Sequence, residues 1–469
     1  MAGIKYNIGM VGLGVMGRNL VLNIADHGYS VSGYDKDLSK VQQLETEAGS
    51  RHIKAAQTLN EFVSVLATPR AIMMLVPAGQ VVDSVIHDLL PLLEQDDLII
   101  DAGNSHFKDT DLRSRSLVEK GIQYMGVGIS GGEDGARHGP SLMPGGPKAA
   151  YKRVKSIFED VAAHVGRSPC VTYLGPGSAG HYVKMVHNGI EYGLMQLITE
   201  SYDLMKRGLG LSDEELAVVY SDWNQTELNA YLIEITSAIF RKIDDQTGKH
   251  LVDLILDEAE QKGTGMWTSQ DAMDIQVPTP VIDAAVVARN LSAMKSERKA
   301  GSKRLKVQNP PFVGDRNEVL AQLKGAMFAS MIITYAQGMA QLRMASKVYQ
   351  YNLNLEDVAR IWRGGCIIRA AVLDDIRYAY HGHSKLPNIL ESSRLSKAVL
   401  ARQSDLRAVI GLAVKLGLPI PCMMASLAYF DGYRSAWLPA NLIQAQRDDF
   451  GAHTYERVDT KGVFHTHWE

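Results

Sequence analysis

Apolar and polar residues alternate in short blocks over the first third of the chain and in long helical stripes thereafter. The opening block passes from an apolar run, YNIGMV, through GLGVMG into an amphipathic stretch, RNLVLNIADHG, and then into a second apolar run that ends at Asp35. That order reads as strand, glycine-rich turn, helix, strand. Further strand patterns lie at 71–77 (AIMMLVP), 97–105 (DLIIDAGNS) and 122–132 (IQYMGVGISGG), each preceded by a helix-like segment. Strands alternating with helices predict an α/β unit, a Rossmann-type, doubly wound and mostly parallel sheet with helices on both faces. After GPGSAG at 175–180 the strand signals fade and helical periodicity dominates, which predicts a boundary near residue 178 and a large all-α region beyond it.

Within the helical part, LGLSDEELAVVYSDWN (209–224) aligns with QYNLNLEDVARIWRGG (350–365) at an offset near 142, and each copy follows a long helical stretch. A duplicated helical unit accounts for this. In the helix before the first copy, GHYVKMVHNGIEYG (180–193), Lys184, His187, Asn188 and Glu191 fall at i, i+3, i+4 and i+7, a single helical face. The residues around them are mostly Val, Met, Ile and Leu. Burying a Lys and a Glu there is costly unless they are paired or used, and an internal ion pair with a capping Asn is the structural alternative to catalysis. The matching stretch of the second copy, GAMFASMIITYAQG (325–338), has no such stripe. Packing alone therefore does not call for it, and chemistry is the better account.

Bulk properties narrow the class. The 469 residues exceed a single-core length, so two or more domains are expected. A hydrophobic content of 46% and a formal net charge of -3 point to no nucleic acid and no membrane as partner. Cys170, Cys366 and Cys422 form no metal-ligand or CxxC pattern and are expected as buried small hydrophobes in a reducing compartment. The first residues run straight into a strand pattern without a leader, and no apolar run is expected to approach the ~20 residues of a membrane span, so the chain reads as cytoplasmic.

Candidate chemistry begins at the first turn. Gly12, Gly14 and Gly17 form GxGxxG: the first permits the tight turn, the second the close approach of a pyrophosphate, the third helix-on-strand packing. Leu13, Val15 and Met16 complete the turn, whose amides open the following helix toward the phosphates. Asp35 follows about 20 residues later, as the dinucleotide fingerprint requires. The carboxyl ends of the other strands, at Val76, Asn104 and Ser130-Gly131-Gly132, face the ligand in such a sheet, with ordinary turn chemistry as the alternative for each.

Six blocks, GLGVMGRNL, DAGNS, GISGGEDGARHGPSLMPGG, KMVHNGIEYG, QKGTGMWT and QAQRDDFGAHTYER, resemble in order and over essentially the whole chain the signatures of the decarboxylating 6-phosphogluconate dehydrogenase family. The resemblance implies a Rossmann domain over 1–178, a duplicated all-helical substrate and dimerisation domain over 179–435, and a tail over 436–469 that reaches the partner subunit of a homodimer. It implies oxidation of 6-phospho-D-gluconate at C3 by NADP or NAD, then loss of C1 as carbon dioxide to give D-ribulose 5-phosphate, in the pentose phosphate route or in gluconate catabolism, with no metal. By the same resemblance Lys184 is the general base, Glu191 the acid that protonates C1 of the enediol, and His187 and Asn188 bind substrate hydroxyls. Ser130, Gly131 and Gly132 hold the carboxylate, Asn104 lies near substrate and nicotinamide, and Tyr192, Lys262, Thr264, Arg289, Arg447 and His453 bind the phosphate. A lysine base requires a pKa brought down toward neutrality, and arginines suit bidentate phosphate contacts.

Where NADP-using members of that family carry Asn-Arg-Thr, this chain has Asp35-Lys36-Asp37. A carboxylate at Asp35 accepts bonds from a free ribose 2'-hydroxyl and repels a 2'-phosphate, favouring NAD, whereas Lys36 and Lys40 offer that phosphate two cations. Pro77 and Met266 stand where the family usually has basic residues. Two other readings are weaker. A shorter 3-hydroxyacid dehydrogenase shares the Rossmann half and the lysine but not the KGTG block, the second helical copy or the Arg447/His453 tail. An inactive nucleotide sensor predicts an eroded stripe, and all four stripe residues are present.

Overall fold

Residues 5–468 are described by a computed structural model of the chain; residues 1–4, on which part of the leaderless reading falls, and 469 lie outside it. The apolar runs of the first third become strands β1 (Ile8–Val11), β2 (Val31–Tyr34), β3 (Ile53–Ala55), β4 (Ala71–Met74), β5 (Leu98–Asp101), β6 (Gln123–Ser130) and β7 (Ser141–Gly145). They form one sheet in the order β3-β2-β1-β4-β5-β6-β7, parallel throughout except for β7, which runs antiparallel to β6. Strands β1, β4 and β5 are buried along their full length, as covered parallel strands must be. Chain order reverses between β1 and β4, where the helix Val15–Asp26 leaves the glycine turn. That switch point is where open α/β sheets take their ligands.

The strand expected over 71–77 stops pairing at Met74, and Leu75, Val76 and Pro77 turn off to line a cavity at the switch point. Neither β3 nor β7 follows from the alternation of strands and helices. The first has only three residues; the second contains Pro144 and Gly145, which weaken a strand pattern and suit an edge position.

Beyond Ser178 the chain enters a first long helix, Ala179–Asp203, and later a second, Arg316–Val348. The opening turns of the first lie on β6 and β7, and its remainder packs on Thr264–Asp274, Pro280–Ala293 and the second long helix. Glycines set the depth of this approach. A Cβ on Gly180 would sit 2.3 Å from the carbonyls of Gly126 and Met143, and one on Gly128 would sit 2.3 Å from the Cβ of Lys184. Lys184 is thereby pressed onto the end of β6.

The duplicated unit is visible as two helix pairs, Asp213–Trp223 with Tyr231–Arg241 and Leu355–Ile361 with Val372–Tyr380. Each first helix starts on a polar cap: Ser212 in a reciprocal capping box with Glu215, and Asn354, which accepts from the amides of Glu356 and Asp357. The copies meet through reciprocal backbone bonds. The Tyr231 amide donates to the Arg369 carbonyl (3.0 Å) and the Ala371 amide to the Asn229 carbonyl (2.9 Å).

The expectation that no apolar run nears membrane length needs correction. Arg316–Val348 contains an 18-residue window with a mean hydropathy of 1.3, enough by length and composition to cross a bilayer. Of that window 78% is buried against other helices, so its greasiness on all sides reflects a core position. All three cysteines are free and buried.

Candidate active site

Lys184 and His187 are buried, while the Glu191 side chain retains 21% exposure and opens the stripe toward solvent. Lys184 Nζ lies 3.4 Å from His187 Nδ1, and the same nitrogen lies 3.8 Å from a Glu191 oxygen. His187 Nδ1 is 3.1 Å from the Asn188 side-chain oxygen and Nε2 is 3.1 Å from Ser130 Oγ, an arrangement that suits an Nδ1–H tautomer with Nε2 accepting from the serine. Asn188 donates in turn to Thr264 Oγ1 (3.0 Å). The stripe is thus continuous with the end of β6 on one side and with the KGTG turn on the other.

Burial disfavours the charged form of every ionisable group here, lowering the two bases and raising the acid. It pushes the Lys184 ammonium pKa down from its ordinary value, with Glu191 and Cys366 pulling the other way. It pushes the Glu191 carboxyl up, opposed by Lys184 and Arg289. Burial, followed by the charge of Lys184, holds His187 well below the ordinary imidazole value, so it is neutral. An amine and a carboxyl displaced toward each other on one wall are suited to proton transfer.

The SGG turn supplies open amides beside them. Gly131 (φ +116°) and Gly132 (φ +63°) adopt left-handed conformations, and the helix Gly132–His138 begins without a side-chain cap. A Cβ on Gly131 would meet the Gly365 carbonyl at 2.6 Å, whereas one on Gly132 would meet open space. Asn104 is exposed just past the end of β5. Below it the buried Asp101 carboxylate shapes the loop, accepting from the Gly103 amide (3.1 Å), Ser105 Oγ (2.6 Å) and Tyr124 Oη (2.9 Å).

At the KGTG block, Gly265 and Gly189 let two helices nearly touch: a Cβ on either would fall within 2.5 Å of Tyr192 or Thr268 respectively. Thr264 begins its helix beside Asn188, Lys262 is exposed, and Arg289 stacks its guanidinium 3.5 Å over the Tyr192 ring. Tyr192, Thr264 and Arg289 therefore gather at the Glu191 end of the stripe. Met266 is half-buried on the helical core.

Arg447 and His453 stand elsewhere. Arg447 is exposed and donates to Gln444 (3.0 Å); His453 lies against Phe450, and among the described residues neither bonds to the stripe. The tail is nonetheless ordered into a hook by the buried Asp448. Its carboxylate accepts from the amides of Thr454 and Thr466, from His465 Nδ1 and from the Trp468 indole. Trp437, Leu438, Leu442, Ile443 and Phe450 leave an apolar face of this hook exposed.

The cradle at the switch point fits a dinucleotide. A Cβ on Gly12 (φ +95°) would strike the Leu75 carbonyl at 2.4 Å and one on Gly17 the Gly12 carbonyl at 1.9 Å, while Gly14 faces open space. No side chain caps the helix that follows, so its first amides are available to phosphate. The Leu13 side chain is fully buried, and its backbone amide donates to Asp35 (2.8 Å). Val15 is exposed and Met16 half-buried at the rim. Gly12, Gly14, Asp35, Lys36 and Val76 line a cavity of about 410 Å³.

Sequence reasoning missed the loop between the helices of the second copy. The Ile367 amide reaches Ser130 Oγ (3.4 Å), Trp362 meets His187 edge-on, and the buried Cys366 neighbours Lys184, with its thiol pushed up to about 12 by burial. The signal available was WRGG in place of the first copy's SDWN, a glycine pair where the duplicate has none.

Comparison with known proteins accords with this geometry. Residues 7–175 match the family described as NAD binding domain of 6-phosphogluconate dehydrogenase, and residues 180–468 match 6-phosphogluconate dehydrogenase, C-terminal domain. The chain is 52% identical over 465 residues, 99% of both chains, to the NADP(+)-dependent, decarboxylating 6-phosphogluconate dehydrogenase of Bacillus subtilis (strain 168). It is 50% identical over 471 residues, 99% of this chain and 98% of the other, to the decarboxylating 6-phosphogluconate dehydrogenase of Synechocystis. Among solved structures, the Plasmodium falciparum 6-phosphogluconate dehydrogenase, determined in apo form and in complex with NADP+ and with 6-phosphogluconate, superimposes with a TM-score of 0.95 at 44% identity over 98% of this chain and 100% of that one.

Proposed function

The chain belongs to the 6-phosphogluconate dehydrogenase family, and on that premise we propose how its own residues carry the reaction. The enzyme converts 6-phospho-D-gluconate to D-ribulose 5-phosphate and carbon dioxide, with a nicotinamide dinucleotide of the NAD(P) class as oxidant. Bound in the glycine cradle, that cofactor supplies the acceptor for the hydrogen that leaves C3 with its electron pair. Lys184, whose charged form burial disfavours, takes the C3 hydroxyl proton in the same step. The ammonium so formed stands by the C3 oxygen as the C1–C2 bond breaks, and stabilises the negative charge gathering there while carbon dioxide departs. Glu191, kept protonated by burial, then delivers a proton to C1 of the enediol, the former C2.

The remaining groups orient the substrate. His187 and Asn188 bond its hydroxyls, Asn104 the end nearest the cofactor, and the Ser130-Gly131-Gly132 amides its carboxylate. Tyr192, Lys262, Thr264 and Arg289 meet the phosphate. Arg447 and His453 of the partner subunit complete that cradle in a homodimer, which the ordered hook and its bare apolar face support.

One observation carries this reading: a base and an acid with oppositely displaced pKa values share one buried helical face. The test is to follow reduced-nicotinamide absorbance and carbon dioxide release together, with one carbon dioxide expected per cofactor reduced and none of either with unphosphorylated gluconate at equal concentration. No turnover of 6-phosphogluconate with NAD or NADP overturns it. For the tail, mixed dimers of Lys184→Met and Arg447→Ala chains are expected to regain activity that neither parent has, because one of their two sites is then intact. Mixed dimers as inactive as the parents overturn tail exchange.

A further inference from the structure

Three carboxylates and two lysines surround the end of the cofactor cavity beyond β2. Lys36 Nζ pairs with Asp88 (2.9 Å), which is carried on the helix Gln80–Leu89 facing β2. Lys40 lies 3.6 Å from Asp35 and 3.9 Å from Asp37. Asp35 is itself fixed: one oxygen accepts from the Leu13 amide (2.8 Å) and the other from the Asp37 amide (2.9 Å), which locks its carboxylate between the glycine turn and the end of β2. Asp37 caps the next helix through Ser39. The other cation beside the cradle, Arg18, is held by Glu47 (2.9 Å) and Gln43 (3.1 Å).

Lys36, Lys40 and Arg18 are thus each engaged by side chains of the chain itself, and the two lysines lining this end of the cavity are balanced by Asp35 and Asp88, so no net positive charge faces a ligand there. A 2'-phosphate brings a charge of about -1.5 to -2 and needs unpaired donors. A 2'-hydroxyl needs only an acceptor, which the locked Asp35 carboxylate provides.

Resting on the dehydrogenase reading above, we infer that Asp88 is a specificity-determining residue that sequesters Lys36 across the cavity and, with Asp35, makes the enzyme select NAD over NADP. Asp35 rewards the hydroxyl; Asp88 removes the cation that would have rewarded the phosphate. The Lys36–Asp88 pair is solvent-exposed, so its part of the selection is electrostatic and weakens with salt.

The test uses the whole protein without turnover: calorimetric affinities for ADP and for 2',5'-ADP, which differ only by the phosphate in question. The wild type is expected to bind ADP more tightly. Asp88→Asn is expected to raise relative affinity for 2',5'-ADP by up to about fivefold, the scale of one exposed charge pair. Adding Lys36→Met to Asp88→Asn is expected to abolish the gain, which a merely structural role for Asp88 would not produce. The kcat/KM ratio for NADP over NAD should move in parallel. Tighter wild-type binding of 2',5'-ADP, or equal shifts for both ligands in Asp88→Asn, overturns the inference. Absence of 6-phosphogluconate-dependent reduction with either cofactor overturns the functional reading instead, and the binding comparison stays readable.

Discussion

The two long helices hold equivalent places in a duplicated unit and are spent on different things. Lys184, His187, Asn188 and Glu191 of the first correspond, at the offset of 142, to Ala326, Ala329, Ser330 and Ile333 of the second, and these four are fully buried. An uncharged set therefore fills the same slot without burying an ionisable group. The stripe in the first helix is held against that preference, and its instability is what brings a lysine and a carboxyl toward neutral pH.

Removing the charge from the first helix should have the largest effect and act in opposite directions on activity and stability. Lys184→Met, which keeps the volume, is expected to lower kcat/KM by about 10³- to 10⁴-fold, the scale of a lost general base, while raising the thermal midpoint because a desolvated amine gives way to an apolar chain. Calorimetry and the cofactor-reduction assay check both; retained activity breaks the comparison. Inserting charge into the second helix is the reciprocal experiment. Ala326→Lys is expected to destabilise the fold by about 3 kcal/mol in urea titrations at pH 7. Because a buried lysine has its folded pKa depressed, the deficit should shrink as pH rises toward the ordinary lysine value.

Within the stripe, the activity–pH profile sharpens the division of labour. On the proposed roles, activity is expected to fall on the acid side as Lys184 takes a proton and on the alkaline side as Glu191 loses one. Glu191→Gln is expected to lose the alkaline limb and about 10²-fold in kcat. The smallest effect concerns Glu200, farther along the same helix, whose buried carboxylate accepts from the Cys422 (2.8 Å) and Met423 (2.9 Å) amides. Burial raises this carboxyl to about 7. A folded pKa above the unfolded one gives stability that is present below about pH 4.5 and lost as pH rises through 7, about 2 kcal/mol between pH 5 and 8. Glu200→Gln should flatten that slope in denaturation series, whatever its own stability.

The comparison also shows what a sequence carries openly. The glycine turn, the alternation of strand and helix, the repeat and the stripe are local patterns, and each occupies the place its period implies. Three things are not local. Strand β7 is stabilised by its pairing with β6 despite Pro144 and Gly145, so propensity misleads there. The apolarity of 316–348 could not be told from a membrane span until its neighbours were in place. The 362–367 loop reaches Ser130 and His187 only through tertiary packing across more than 170 residues of chain. Arg447 and His453 are the opposite case: a block resemblance singled them out, and the fold of one chain leaves them apart from the stripe.

The first long helix has a mechanical consequence. Its opening turn is wedged by Gly180 into the sheet and its later turns are gripped by the helical core, so base and acid stand on one unbroken beam. A hinge between them would have to break the backbone bonds of a continuous helix. At the rim a guanidinium rests on an aromatic ring and can swing aside as a side-chain motion. Lys184 and Glu191, on one continuous helix, keep their spacing through such a motion.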